Sequence, residues 1–398
     1  MSILILNSIR GKNIPYPAWL KNTNEKLFLL CSDQQTIDNE NYHYAQSFEQ
    51  YEKNSAVADA AEMLIKNHQI KTIIAKSECD LLRAGKLRDA FQIEGQRFSQ
   101  ALAFRDKVLM KSYLEKSHLR IPAYRRIQNK LDAIVFSEIQ GFPLVLKPVD
   151  GAGSLNTVII ENADQLKMLP DTLFENNMEI EEYIAGEMYH VDGIVLNNEV
   201  KFIYPSKYFH DCLRYQNNES SGSCILDYHH PLRERLIDFT KSILSALPTP
   251  AITTFHAEIF HTPEDELVFC EIASRTGGVR IREMLTAAFD IDLDQMWIQA
   301  QANALDIKKI NWPSKPNMIA GWVLVPPREG SLKKFPKDDL PEGIVEYQQN
   351  GVCNKRYQKP EKSSDCVASF VAIGDSAETV IKRLNQAETW FAHNAEWE

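Results

Sequence analysis

At 398 residues the chain is long enough for two or three packed domains, and its hydrophobic fraction of 44% and charged fraction of 25% are those of a soluble globular protein. A formal net charge of -10 with no basic stretch excludes a nucleic-acid binder that works by phosphate neutralisation; small anions remain open through local basic clusters. Seven scattered cysteines without a CxxC pair exclude a disulfide frame and a zinc site, and no apolar run approaches the length of a membrane span, so the expected setting is cytoplasmic.

The apolar start, Ser2 to Asn7, has neither a basic leader nor a small-residue cleavage site and reads as a first strand. From there to about Gln92, short apolar runs (Ile3 to Leu6, Lys26 to Cys31, Thr72 to Ala75) alternate with a helix around Ala56 to Asn67, the rhythm of an open parallel sheet. No GxGxxG occurs, so a dinucleotide site is not supported. A helix opens at Arg105-Asp106-Lys107 and is broken at Ile121-Pro122, and a second spans Leu131 to Ile139.

Pro143 to Pro148 reads as an apolar strand that contains a lysine, Lys147, which is costly there unless an anion is near. The loop that follows, with Gly151, Gly153 and Ser154, can fold its amides over phosphates with Lys147 as countercharge, although its spacing is not that of a P-loop. A strand at Thr157 to Ile160 and a helix at Ala163 to Met168 lead to a strand from Met178 that carries Glu181 and Glu182 and bends at Gly186. Strands then run from Met188 to Leu196 and from Val200 to Tyr204; the polar stretch His210 to Tyr228 shows little periodicity and reads as a loop able to close over a ligand. A helix follows from Leu232 to Leu247.

The most informative stretch is His256 to Phe260 with Phe269 to Gly278, two apolar runs joined by a polar turn: a hairpin whose strands each carry one carboxylate, Glu258 and Glu271. Facing carboxylates repel unless a cation lies between them, and hard divalent cations take oxygen ligands of this kind. Alternation places Phe260 on the face of Glu258 and Phe269 on that of Glu271. Arg275, Gly277 and Gly278 follow at once, bringing positive charge and bare backbone beside the carboxylates. Helices near Ile281 to Ala288, Leu293 to Ala304 and Ala377 to Ala392, and strands near Met318 to Val325 and Val367 to Ile373, complete the chain as a further lobe or cap.

In this order the elements from Arg105 to Ile281 resemble the ATP-grasp superfamily, and the strings Gly186 to Gly193 and His256-Ala257-Glu258 are most similar to the branch of bacterial L-amino acid ligases and carnosine-synthase-like enzymes. The resemblance implies an α/β (α+β) ATP-grasp fold: an N-terminal Rossmann-like open-sheet domain at 1–95, a small lobe and linker at 96–185, a large lobe with the metal site at 186–310 and a C-terminal lobe at 311–398. It implies that Lys107 and Lys147, with Gly151, Gly153 and Ser154, contact ATP phosphates, that Glu181, Glu182 and Ile184 frame the adenine and that Glu187 meets the ribose. Met188 stands where relatives often have a second glutamate. Glu258 and Glu271 would hold Mg²⁺, with Mn²⁺ as an alternative; Ser274, asparagine in many relatives, would assist a second ion, and Arg275 would steady the transferred phosphoryl group. His190, Asp192, His256, Arg275, Gly277 and Gly278 are candidates for the substrate side.

The implied reaction is phosphorylation of a small-molecule carboxylate followed by attack of an amine, with no nucleic-acid or membrane partner and with a homodimer compatible with the size. Two alternatives stay open at this point: loading of an amino acid on a carrier-protein thiol, and a nucleotide-binding protein without turnover.

Overall fold

The structure is a computed structural model that describes residues 2–10, 14–32, 40–175, 177–209, 219–337 and 339–398. Four parallel strands, β1 (Ser2–Asn7), β2 (Lys26–Cys31), β3 (Tyr44–Ser47) and β4 (Ile70–Ala75), lie in the order β3-β2-β1-β4. The near-continuous apolar run of β1 is explained by cover on both faces. Leu4 and Leu6 join Val57, Ala61 and Leu64 of α2 (Ala56–Asn67) and Leu81 of α3 (Glu78–Phe91), whereas Ile3 and Ile5 join Tyr16, Trp19 and Leu20 of α1 (Tyr16–Leu20).

After α4 (Phe98–Ala103) and α5 (Lys107–Leu114) comes an antiparallel sheet in the order β5-β8-β6-β7, made of β5 (Tyr124–Ile127), β6 (Leu144–Pro148), β7 (Val158–Ile160) and β8 (Met178–Glu182). Leu144, Leu146, Ile160 and Ile180 pack on Ala133 and Phe136 of α6 (Lys130–Gln140) and on Leu166 of α7 (Ala163–Met168). With period two, Val145, Lys147, Ile159 and Glu181 are left to the other face, which is a cavity wall.

The largest sheet runs β13-β12-β9-β10-β11-β14-β18-β16, with every neighbouring pair antiparallel. Its strands are β9 (Glu187–Leu196), β10 (Glu199–Tyr208), β11 (Ser221–Ile225), β12 (Ile252–His261), β13 (Leu267–Ala273), β14 (Ile319–Val325), β16 (Ile344–Gln349) and β18 (Ala368–Gly374). Short strands β15 (Gly330–Lys334), β17 (Arg356–Tyr357) and β19 (Glu396–Trp397) form a separate three-stranded sheet. Helices α8 (Arg233–Ala246), α9 (Ile281–Phe289), α10 (Leu293–Gln301) and α11 (Ala377–Asn394) cover the large sheet and its junctions, and Ile298 of α10 reaches the core beneath β1. Among the described residues no helix is long and apolar enough to cross a membrane, and every cysteine is free.

The structure differs from the sequence reading in three places. The segment read as a polar loop contains β11, whose Ser-Gly-Ser-Cys run has no apolar alternation and is fixed by ladders to β10 and β14; residues 210–218 of that expected loop lie outside the described set. Of the strands beyond residue 311, β14, β18 and β16 extend the same sheet that carries the Glu258 hairpin, whereas β15, β17 and β19 pair in a sheet of their own. The third place is the β12–β13 ladder, where a bulge between Glu258 and Ile259 sets Glu258 opposite Glu271 but Ile259 opposite Phe269. The extra residue, Cys270, turns Phe269 into the core with Ile259, Phe255 and Ala257, so Phe269 does not share the face of Glu271.

Candidate active site

A cavity of about 790 Å³ lies between the small antiparallel sheet, α5, the β12–β13 hairpin and the C-terminal strands. Lys107, Lys147, Gly151, Gly153, Ser154, Glu181, Glu182, Ile184, Glu187, His256, Glu258, Glu271, Arg275 and Gly278 all line it. Residues more than 150 positions apart in sequence therefore share one space.

Lys107 is the first residue of α5, capped by Asp106, whose carboxylate accepts from Leu109 N at 2.9 Å. The Lys107 amide donates to Val149 O at 3.0 Å and its Nζ to Gly151 O at 2.9 Å, which pins the helix start to the glycine loop. The same Nζ lies 2.9 Å from Glu271 Oε2. Burial works against ionisation of Glu271, but Lys107 and Lys147 outweigh it and hold its pKa down at about 2. Gly153 and Ser154 take φ of 64° and 56°, a left-handed turn that glycine accepts without cost. At that turn Ser363 N donates to Gly153 O at 3.2 Å, so Lys362, Ser363 and Ser364 of the C-terminal segment reach the cavity wall.

The anion that makes Lys147 tolerable in its strand is Glu181, 2.5 Å away. Behind them sits Lys111, with no exposed surface, 3.0 Å from both oxygens of Glu179 and 2.8 Å from Glu181 Oε2. Burial depresses the charge of Lys147, yet Glu181 and its neighbours hold its pKa well above the usual lysine value. Lys111 and Glu179 were missed in the sequence. The signals were there: Lys111 is four residues after Lys107 on one helix face, and Glu179 is two before Glu181 on one strand face.

Arg275 donates from Nε to Glu78 Oε1 at 2.8 Å and from Nη1 to Thr276 O at 3.0 Å. Glu78, at the start of α3, also pairs with Arg105; nothing in the sequence marked it. Glu182 pairs with Arg120 and accepts from Ala123 N at 3.0 Å, and Glu187 pairs with Lys207 at 2.6 Å while accepting from Tyr189 at 2.9 Å.

His190 and Asp192, expected on the substrate side, are fully buried behind the wall and do not line the cavity. Their polar atoms are consumed in a chain: Ser223 Oγ to His190 Nε2 at 2.6 Å, His190 Nδ1 to Asp192 Oδ2 at 2.6 Å, Asp192 Oδ1 to His256 Nδ1 at 2.9 Å. His256 Nε2 then lies 3.5 Å from Glu258 Oε1, which also accepts from Tyr208 at 3.1 Å. Burial disfavours a charged His256, but Asp192 and Glu258 push its pKa up to about 10. Ser274 is likewise turned away from the cavity: its Oγ accepts from Gln96 Nε2 at 2.8 Å, which engages the oxygen expected to meet a metal. Gly277 packs over the Asp192–His256 pair instead of lining the cavity, whereas Gly278 lines it.

A four-stranded antiparallel lobe and a larger antiparallel sheet meet at one lysine- and carboxylate-lined cavity, and residues 104–279 match the ATP-grasp domain family. The chain carries that domain and the ATP-grasp fold. Over 342 residues it is 29% identical to the L-arginine-specific L-amino acid ligase of Bacillus subtilis, spanning 81% of this chain and 80% of that one. The crystal structure of an L-amino acid ligase from Bacillus licheniformis superimposes with a TM-score of 0.79 at 14% identity, covering 100% of this chain and 99% of the other. An ATP complex of carboxyaminoimidazole ribonucleotide synthase from Aspergillus clavatus gives 0.72 at 13% identity, covering 99% of each chain. At such identities the two structures speak for the fold.

Proposed function

We propose that the chain is an ATP-dependent carboxylate–amine ligase that joins amino acids through an acyl phosphate, releasing ADP and phosphate. The observation that carries this reading is the meeting of Lys107, Lys147 and Arg275 with the opposed Glu258 and Glu271 in one cavity. Three cations suit the phosphates of ATP, and two carboxylate side chains at one ladder position are oxygen donors of the kind a hard divalent ion takes. Glu258 and Glu271 would hold Mg²⁺, which supplies charge neutralisation across the transferring phosphate. The residues of the chain do the rest. Lys107 holds the glycine loop and Glu271 at once, Arg275, held by Glu78, would steady the transferred phosphoryl group, and Ile184 with Val145 and Ile159 would offer an apolar seat for the base.

The substrate carboxylate attacks the terminal phosphorus of ATP and ADP leaves; the amine then attacks the acyl carbon and inorganic phosphate leaves, with one proton lost from the amine. ADP formation in the presence of amino-acid pairs, with the product identified as an amide by mass spectrometry, tests the reading. A thioester formed only with a carrier protein would overturn it. Glu271→Gln is expected to lower turnover at least ~100-fold, as loss of a transition-state charge contact does, while the melting temperature stays within a few degrees. Unchanged turnover would remove Glu271 from the metal site.

A further inference from the structure

The cavity has two chemically distinct ends. Its carboxylates come from the small sheet, the start of β9 and the β12–β13 hairpin, and its cations from α5, the small sheet, β10, the turn after β13 and the segment that carries Lys362, while Trp322 of β14, Ile281 at the start of α9 and Ile381 of α11 wall the other end. β14 lies four strands across the sheet from β12, roughly 19 Å at ordinary strand spacing. Tyr208 of β10 sits midway: its hydroxyl reaches Glu258 at 3.1 Å and its ring lies 6.5 Å from that of Trp322, edge to face. An amino acid placed with its carboxylate by Arg275 and Glu258 would therefore send its side chain past Tyr208 toward Trp322.

Among the described residues, that end offers no carboxylate. Five glutamates line the cavity, and each has a partner within the chain: Glu181 with Lys147, Glu182 with Arg120, Glu187 with Lys207, Glu271 with Lys107, and Glu258 with His256 and Tyr208. None lies on β11, β14 or α11. Among the described residues, a guanidinium arriving at Trp322 would lose water without gaining a carboxylate, which is costly, whereas an aliphatic or aromatic group would exchange water for apolar walls. Trp322 and Ile281 are each only 2% exposed and stand on elements packed against one another, so the wall is preformed.

Building on the ligase reading, we propose that the amino acid activated as the carboxylate donor carries an apolar side chain seated against Trp322, Ile281 and Ile381, and that arginine, named for the B. subtilis relative, is a poor donor here. The intact protein with ATP, Mg²⁺ and hydroxylamine as the amine reports each donor singly as its hydroxamate. L-leucine, L-isoleucine, L-methionine and L-phenylalanine are expected to give kcat/KM at least tenfold above L-arginine, L-lysine and L-glutamate. Trp322→Ala is expected to raise the KM for the apolar donors about tenfold, within the range a hydrophobic pocket discriminates, with the KM for ATP unchanged within twofold. Ile381→Glu, at a half-buried helix position that does not depend on refilling a core, is expected to bring arginine to parity with leucine or above it. Arginine equal to the apolar donors in the unmodified protein, or selectivity unmoved by both substitutions, would overturn the proposal. Hydroxamate from no amino acid at all, with ATP still bound, would instead overturn the ligase reading and this inference with it.

Discussion

A lysine inside an apolar strand needs an anion, and Lys147 finds Glu181 within the chain. One lysine between two buried carboxylates would be fully committed, but Lys111 supplies the second charge, so Lys111 and Lys147 balance Glu179 and Glu181. Burial lifts both carboxyls; the lysines win at Glu181, which is held below its ordinary value, while Glu179 stays above. With Lys111 satisfying the glutamates, Lys147 keeps charge to offer a phosphate. Lys111→Met strands a buried carboxylate, a loss of about 3–5 kcal/mol for a broken buried pair, and ties Lys147 more tightly to what remains. The expected result is a melting temperature several degrees lower and a KM for ATP at least tenfold higher. Adding Glu179→Gln removes the surplus charge and is expected to restore much of the thermal stability. Melting curves and ATP titrations of the two variants check this, and a Lys111→Met protein unchanged in both would show that the four charges do not act together.

At the scale of elements, the turn leaving β13 is where packing decides whether the site forms. A Cβ on Gly277 would lie 2.6 Å from Ile281 Cδ1, 2.8 Å from Asp192 Oδ1 and 2.9 Å from His256 Nδ1. It would crowd the hydrogen bond that fixes His256 against Glu258, and relief requires the packed Ile281, Asp192 and His256 side chains to shift. Gly277→Ala is therefore expected to cut kcat at least tenfold, whereas Gly278→Ala, where an added Cβ meets nothing within 4 Å, is expected to change it less than threefold. Equal losses in steady-state assays of the two variants would defeat the argument. The same region shows what the sequence could reveal. The opposition of Glu258 and Glu271 was legible because a hairpin's register is local, and Lys147 because it stands in an apolar strand before a glycine loop, whereas Lys107, which alone reads as a surface lysine, was legible only through the resemblance. The facing of Phe269 was not, since one bulged residue reverses alternation. β11 was not, since Ser221 to Cys224 is held by neighbours rather than by its own pattern. His190, Asp192 and Ser274 read as candidates through the resemblance, yet each spends its polar atoms on another buried side chain, a choice that only tertiary structure makes.

Across the whole molecule, the parallel N-terminal sheet is docked onto the ATP-grasp body by charges at the carboxyl end of β4. Lys76 pairs with Asp294 of α10, and Glu78, two residues on, orients Arg275 at the cavity. Both acids are largely buried, so burial raises them, but Lys76 in one case and Arg275 with Arg105 in the other hold them below their ordinary carboxylate values. A carboxyl depressed in the folded state stabilises it fully above the unfolded value, about 4, and that contribution fades as pH falls through the lower folded value. Asp294→Asn leaves Lys76 partly buried without its anion and is expected to lower the melting temperature at pH 7. As pH drops from about 4 toward 2 the gap between variant and parent is expected to narrow, because the parent is then losing the same charge. Glu78→Gln is expected to show the same narrowing but to lose turnover as well, since it alone of the two touches Arg275. Thermal melts from pH 7 down to pH 2, set beside turnover at pH 7, separate docking from catalysis. A gap that widens on acidification would mean that some other group carries the docking energy.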